Sequence, residues 1–185
     1  WRTCGRGQRW PAVDSPGPGG QANVRQLCRD AYVVVQNFRP GVLDRHGLGY
    51  DALTAENPNL IYASISGFGL DGPYAHKSAY DTVIQAYAGL AVNQADPETG
   101  IPVFLRQTAA DKVTALTAAQ AITAALFARE RGAGGQHRHL AMLDAVVSFL
   151  WVDAAANEVL LETDGSLPSS FVSNFQPMPF ADGWG

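Results

Sequence analysis

An α/β fold is predicted by three features of this 185-residue sequence. Two runs of β-branched and other apolar residues, 32–35 and 60–65, are typical of buried parallel strands. Segments with apolar residues at helical spacing lie between and after these runs, so strands and helices alternate along the chain. The chain also has no internal repeat, which leaves an α/β domain as the predicted class.

The first half of the chain is expected to form short elements. Residues 1–21 hold three prolines and several glycines without periodicity, which predicts a loop or disorder. We expect a short helix at 23–30, a strand at 32–35, short helices at 42–48 and 50–56, and a second strand at 60–65. The polar loop at 37–41 follows the first strand, and open α/β sheets bind ligands at the carboxyl ends of their strands.

Helices dominate the second half. Apolar residues at helical spacing predict helices over 80–92, 108–131 and 142–161, and Gly132 to Gly135 break the second of these. Alternating polar and apolar residues at 136–141 indicate an exposed or edge strand. Residues 166–185 are rich in proline, serine and aromatic residues and are expected to be irregular.

Asp111 lies in the first turn of the longest predicted helix. Backbone N–H groups point outward there, so a carboxylate is stabilised as an anion and can be exposed. Thr108 and Asp111 also fit a capping box, in which the two side chains satisfy backbone N–H groups. The spacing by itself favours this structural role over a chemical one.

Composition excludes several classes of protein. The net charge of −4 gives no electrostatic footprint for nucleic acid. No apolar run is long enough to span a membrane, and residues 1–9 lack a signal-peptide pattern. Cys4 and Cys28 have neither metal-site spacing nor a disulfide framework, so no metal is expected. We expect a cytoplasmic protein, and the charged fraction of only 16% indicates a surface partly covered by something else.

Five segments in this order resemble the class III coenzyme A transferases, a family that includes formyl-CoA and carnitine-CoA transferases and the α-methylacyl-CoA racemases. They are VVVQNFRPGVLDRHGLGYDAL, NPNLIYASISGFGLDGPY, YDTVIQAYAGL, ADKVTALTAAQAITAALFARERGAGGQH and LAMLDAVVSFL. The resemblance implies a Rossmann-like open sheet with flanking helices, as part of the large domain of an interlocked-dimer fold. It further implies a divergent stretch at 1–21, a partial large domain at 22–161, and a linker to a second, small domain at 162–185.

The same resemblance assigns site residues. It implies that Asp111 is the catalytic nucleophile and that Asn37, Phe38 and Arg39 line the CoA nucleotide, with Arg45 facing its phosphates. The segment Ser78, Ala79, Tyr80 and Asp81 would lie near the pantetheine arm. Phe38 could instead be a core aromatic residue, Arg45 a solvated helix charge, and Asp81 a helix cap. No prosthetic group is implied, because coenzyme A and acyl-CoA are substrates.

The family's chemistry leaves three functional hypotheses. The first is transfer of CoA from an acyl-CoA to a carboxylic acid through an aspartyl-CoA intermediate. The second is racemisation α to the thioester, which needs two acid/base groups; Tyr80 stands where that branch has a histidine, and His76 lies in a turn. The third is an inactive CoA-binding fragment, because the chain resembles the middle of a longer, homodimeric protein. We expect residues 1–185 alone to be inactive and poorly soluble.

Overall fold

The computed structural model describes residues 5, 7–9, 17–155, 179, 180, 183 and 184. The chain divides into two compact units. Unit 1 contains residues 1–64 and 121–138, and unit 2 contains residues 65–120 and 139–185. Most of the predicted linker at 162–185, the end of the predicted helix at 142–161 and much of the stretch 1–21 lie outside the described residues.

The described helices and strands follow the predicted order. The helices are α1 (Pro18–Arg29), α2 (Val42–Arg45), α3 (Tyr50–Thr54), α4 (Asp81–Tyr87), α5 (Leu90–Asn93), α6 (Ala109–Ala128) and α7 (Met142–Ala154). The strands are β1 (Val33–Gln36), β2 (Ile61–Ser66), β3 (Gln136–Ala141), β4 (Pro179–Phe180) and β5 (Gly183–Trp184).

Several predictions differ from the structure. The single helix predicted over 80–92 is two helices, α4 and α5, because Gly89 between them has a left-handed φ of 83°. Strands β4 and β5 lie in the segment 166–185, which is expected from the sequence to be irregular.

Helix α1 begins at Pro18, inside the stretch expected to be irregular. Proline suits the first turn of a helix, because the N–H that it lacks has no partner within the helix there. Helix α6 ends at Ala128 and continues as a π-helical turn over Arg129–Ala133, where Gly132 has a φ of 92°.

Three strands form one sheet in the order β1-β2-β3. Strands β1 and β2 are parallel, with Val33 opposite Ile61 and Gln36 opposite Ser64. β2 is central and largely buried. Beside it, the N–H groups of Gly135 and Gln136 donate to the carbonyls of Pro58 and Leu60, both at 3.0 Å. The predicted α/β class and the edge position of β3 within the described sheet are confirmed.

A compact apolar core stabilises unit 1. Its buried members are Cys28, Leu48, Leu53, Leu60 and Tyr62. Each fully buried large apolar side chain contributes about 1.5–3 kcal/mol to folding. The Tyr62 hydroxyl donates to the Leu48 carbonyl at 3.0 Å, and burial raises the pKa of Tyr62 to about 12.

The core of unit 2 gathers the starts of several helices. Ile84 of α4, Ala110 of α6, and Val146 and Leu150 of α7 belong to one buried cluster. Ala110 is completely buried, and its small side chain lets the first turn of α6 pack closely against its neighbours. Among the described residues, no helix has both the length and the apolar character that a membrane span requires.

Candidate active site

Asp111 lies in the first turn of α6, as the sequence predicts. Its side chain is exposed, whereas Ala110 beside it is buried in the unit 2 core. The fixed backbone of a well-packed first turn therefore presents a solvent-accessible carboxylate. This is the arrangement that a nucleophile on a rigid element requires.

The backbone N–H of Asp111 is bound by a second carboxylate. Asp81 Oδ2, from the first turn of α4, accepts this N–H at 2.9 Å, and the Asp81 side chain is 9% exposed. A capping box would pair the same N–H with the Thr108 hydroxyl. The predicted capping box is therefore wrong, and Thr108 contributes through its carbonyl, which accepts the Lys112 N–H at 3.1 Å.

Gln85 connects this pair to the loop before α6. Its side chain is completely buried, and its Nε2 donates to Asp81 Oδ1. The same Nε2 donates to the Gln107 carbonyl at 3.0 Å. Its Oε1 accepts the Leu105 N–H at 3.0 Å. Sequence analysis missed Gln85. Its position four residues after Asp81, on the face of α4 that also carries Ile84, is the signal that could have identified it.

The electrostatics of Asp111 differ from the expectation for a helix N-terminus. Partial burial and then the negative charge of Asp81 raise the pKa of the Asp111 carboxyl. The sequence predicts the opposite, an anion stabilised by first-turn N–H groups. The reason is the partial burial of the Asp111 carboxyl together with the nearby Asp81 carboxylate.

The predicted pantetheine segment surrounds the start of α4. Ser78 and Tyr80 are exposed, and Ala79 is half-buried. A Cβ at Gly67, just after β2, would collide with the Cβ of Ala79, so only glycine allows this approach. Asp81 does not cap its own helix, as one alternative predicts; its side chain reaches α6 instead.

An aromatic cluster missed by sequence analysis holds Lys77, the residue directly before this segment. Phe68, Tyr74 and Tyr87 contact one another edge to face, with centroid separations of 5.2–5.7 Å. Lys77 Nζ lies 3.8 Å from the centroid of the Tyr74 ring and donates to the Tyr87 hydroxyl at 3.2 Å. These contacts fix Lys77, directly before Ser78, by a cation–π interaction.

The predicted nucleotide loop lies in unit 1, directly after β1. Asn37, Phe38 and Arg39 are all exposed, and the Phe38 N–H donates to Gln36 Oε1 at 2.9 Å. Phe38 is 55% exposed, so the alternative of a core aromatic residue is wrong. Exposed Arg45 ends α2, and a Cβ at Gly41 would lie 3.5 Å from its Nη1, which places the guanidinium beside the loop.

A mostly apolar cavity of about 280 Å³ adjoins this loop. It is lined by residues of β1, its flanking helices and the loop itself: Val24, Cys28, Val34, Val35, Gln36, Phe38, Val42, Leu43, His46, Leu48 and Leu53. Its few polar groups suit the flat, partly apolar face of a nucleobase. In the described part of the chain, no group of three or more His, Cys, Asp or Glu side chains could hold a metal ion.

The predicted site residues thus fall into two sets. Asp111 and the segment from Ser78 to Asp81 lie in unit 2, where Asp81 and Asp111 are in direct contact. The loop residues and Arg45 lie in unit 1. Each unit therefore presents its own group of exposed polar side chains.

Comparison with known proteins identifies the family. The chain is 40% identical, over 78% of its length and 37% of the relative's, to an acetyl-CoA:oxalate CoA-transferase of Acetobacter aceti. It is 35% identical to a succinate–glutarate CoA-transferase of Agrobacterium fabrum, over 100% of this chain and 46% of the relative. A crystal structure of a CaiB/BaiF family protein from Brucella suis superposes with a TM-score of 0.85 at 35% identity, covering 98% of this chain and 48% of that one.

The chain spans about a third to a half of the length of these relatives. The sequence profile of CoA-transferase family III matches residues 1–182, which is nearly the whole chain. The resemblance found in the five sequence segments is therefore confirmed. The chain belongs to CoA-transferase family III.

Proposed function

We propose that the protein transfers coenzyme A from an acyl-CoA to a carboxylic acid, with Asp111 as the nucleophile. The observation that carries the proposal is the exposed Asp111 carboxylate in the first turn of α6, beside the buried Ala110, in a chain of this family. The relatives named above are CoA-transferases, which supports this reaction over racemisation.

The transfer divides into steps that a carboxylate can perform. An oxygen of Asp111 attacks the thioester carbonyl carbon, the C–S bond breaks, and CoA leaves as the thiolate with the bonding electron pair. This gives a mixed anhydride. The thiolate then attacks the Asp111 carbonyl carbon, the acyl carboxylate departs, and an aspartyl-CoA thioester remains. The acceptor carboxylate takes the CoA by the same two steps in reverse.

The nucleotide end of CoA is assigned to unit 1. Asn37, Phe38 and Arg39 are exposed beside the apolar cavity, and Arg45 supplies a multi-donor cation for phosphate. Ser78, Ala79 and Tyr80 would contact the pantetheine arm.

Replacing Arg45 by Met should weaken CoA binding and reduce the rise in melting temperature that CoA produces. Arg131→Met, whose guanidinium packs over the Phe127 ring, is the matched control; equal loss in both variants would contradict the assignment.

Short dicarboxylic acids are the first acceptors to test. The Acetobacter relative is named for oxalate, and the Agrobacterium relative is named for succinate and glutarate.

We also propose that the complete protein acts as a homodimer. Exposed Phe149, Trp151 and Val152 on α7 are apolar surface that such an assembly would cover.

The decisive experiment combines mass spectrometry with two substitutions. The complete protein incubated with acyl-CoA should carry a CoA or acyl adduct on the peptide containing Asp111. Asp111→Ala should lose both the adduct and transfer. Asp153→Ala, a change in the last turn of α7, should keep nearly full activity. An Asp111→Ala protein with normal turnover would refute the assignment.

A further inference from the structure

Asp81 is placed to influence the reaction without touching the substrate. Its two carboxylate oxygens have different partners: Oδ2 accepts the Asp111 N–H at 2.9 Å, and Oδ1 accepts from Gln85 Nε2. Asp81 is 9% exposed and both of its oxygens already have protein partners, so little of it is accessible to a bound pantetheine arm. This geometry favours a role towards Asp111 over the role in CoA binding that the family resemblance implies for Asp81.

The surroundings of Asp81 hold it in this position. Gln85 is fully buried and also binds the Gln107 carbonyl and the Leu105 N–H, so it ties α4 to the loop that leads into α6. The nearby cation Lys112 donates to Gln107 Oε1 at 2.9 Å. Among the described residues, Asp81 forms no ion pair, and its contact with Asp111 is through the Asp111 backbone N–H.

We propose that Asp81 is a positioning residue for Asp111, which fixes the first turn of α6 through the Asp111 N–H and places a second carboxylate beside the nucleophile. This inference rests on the proposed function. The fixed backbone orients the Asp111 carboxylate. The neighbouring charge makes the free Asp111 anion less stable and more basic, and therefore more nucleophilic.

The charge also favours the covalent intermediates over the free enzyme. Free Asp111 is an anion that is repelled by Asp81. In the mixed anhydride and in the aspartyl-CoA thioester, the Asp111 acyl group is neutral, because its negative charge has passed to the departing carboxylate or thiolate. Forming either intermediate therefore relieves the repulsion between the two carboxylates. Partial burial and then this repulsion raise the pKa of the Asp111 carboxyl.

Asp81→Asn tests this inference, because it removes the charge and keeps the shape. We expect a folded protein whose turnover falls about tenfold to a hundredfold. The acidic limb of its kcat/KM profile should move to lower pH, and less aspartyl-CoA should be trapped by acid quenching at steady state. Asp81→Glu restores the charge and should restore the position of the acidic limb. Asp144→Asn, a change of an exposed first-turn aspartate on α7, is the matched control and should alter neither readout.

The outcomes separate this inference from the proposed function. A complete wild-type protein that forms no adduct and transfers no CoA refutes the function itself. An active wild type combined with an Asp81→Asn variant of unchanged acidic limb refutes only the role of Asp81, even if its turnover falls. If Asp81→Asn does not fold, Asp81→Ser replaces it, because the serine hydroxyl can still accept the Asp111 N–H. If both variants fail to fold, Asp81→Glu decides the question: an acidic limb at the wild-type position supports the proposal, and an acidic limb displaced from that position overturns it.

Discussion

The ionised Asp111 carboxylate lowers the stability of the folded protein. Its carboxyl pKa is raised, first by partial burial and then by Asp81. A carboxyl group whose pKa is higher in the folded than in the unfolded state destabilises the fold where it is ionised. This penalty is present at pH values above both pKa values and disappears as the pH falls through the raised folded-state pKa.

We therefore predict that Asp111→Asn abolishes CoA transfer without lowering stability at pH 7. The amide removes the charge that Asp81 repels, so the melting temperature at pH 7 should equal or exceed that of the wild type. The difference should shrink as the pH falls and Asp111 becomes protonated. Thermal unfolding between pH 7 and pH 4 measures this, with Asp153→Asn as control. A marked loss of stability at pH 7 would show that the Asp111 carboxylate has an unrecognised stabilising partner.

Tyr80 bears on the choice between transfer and racemisation. It is 73% exposed at the start of α4, where the racemase branch of the family has a histidine. A tyrosine hydroxyl is a weak base at neutral pH, because its ordinary pKa is about 10.

We predict no exchange of the α-proton. Acyl-CoA incubated with the protein in deuterated water should keep its α-hydrogen while CoA transfer proceeds, as followed by mass spectrometry of the recovered thioester. Rapid deuterium uptake would instead support the racemase hypothesis. Substitution of Tyr80 and of His76 would then show which side chain is the second acid/base group.

At the level of the elements, the central strand β2 depends on close backbone approaches. At Gly135, directly before β3, a Cβ would lie 2.7 Å from the Leu60 carbonyl oxygen and 2.9 Å from the Leu60 nitrogen, and it would collide with the Pro58 carbonyl oxygen. Backbone atoms cannot move aside as the tip of a side chain can. The junction of β3 with β2 therefore requires glycine at this position.

We predict that Gly135→Ala destabilises the protein by about 1–3 kcal/mol, because β3 must shift away from β2. Gly19→Ala is the matched control, since Gly19 lies within α1 and nothing is within 4 Å of its Cβ position. That change should stabilise the protein by about 0.5–1 kcal/mol. Urea unfolding of both variants measures the two effects. Equal free energies of unfolding for the two variants would show that β3 accommodates the added methyl group without loss of stability.

At the scale of the whole molecule, several large apolar side chains remain exposed. They include Leu116 on α6 and Phe149, Trp151 and Val152 on α7, with Val152 81% exposed. Val35 of β1, a strand at one edge of the described sheet, is also exposed. Contiguous apolar surface and unpaired strand edges favour association with another surface.

We predict that residues 1–185 expressed alone are poorly soluble or self-associate and transfer no CoA. Size-exclusion chromatography together with a thermal melt would test this. The Asp111→Asn form of the same chain controls for any effect of the active site and should behave alike. A monodisperse monomer with one cooperative unfolding transition would contradict the prediction and show that this chain is a self-sufficient domain.

Local pattern was sufficient for the two parallel strands and for α6. The valines of β1 and the apolar run of β2 predict both strands, because β-branched residues without polar alternation suit a strand covered on both faces. Periodicity and Gly132 predict the extent of α6 to within a few residues. The position of Asp111 in a first turn follows from the same signals, since helix boundaries depend on residues close in sequence.

What the sequence determined by itself is therefore the α/β class, the order of its elements, its family and the place of Asp111 in a first turn. Only the tertiary structure decided which partner binds the Asp111 N–H. Thr108 is the nearer candidate in sequence, but Asp81, thirty residues away, takes this N–H. The physical reason is that Ile84 and Ala110 are buried in one core, and their packing brings the start of α4 to the start of α6. Such a contact depends on how distant segments pack together, and no local pattern in the chain records it.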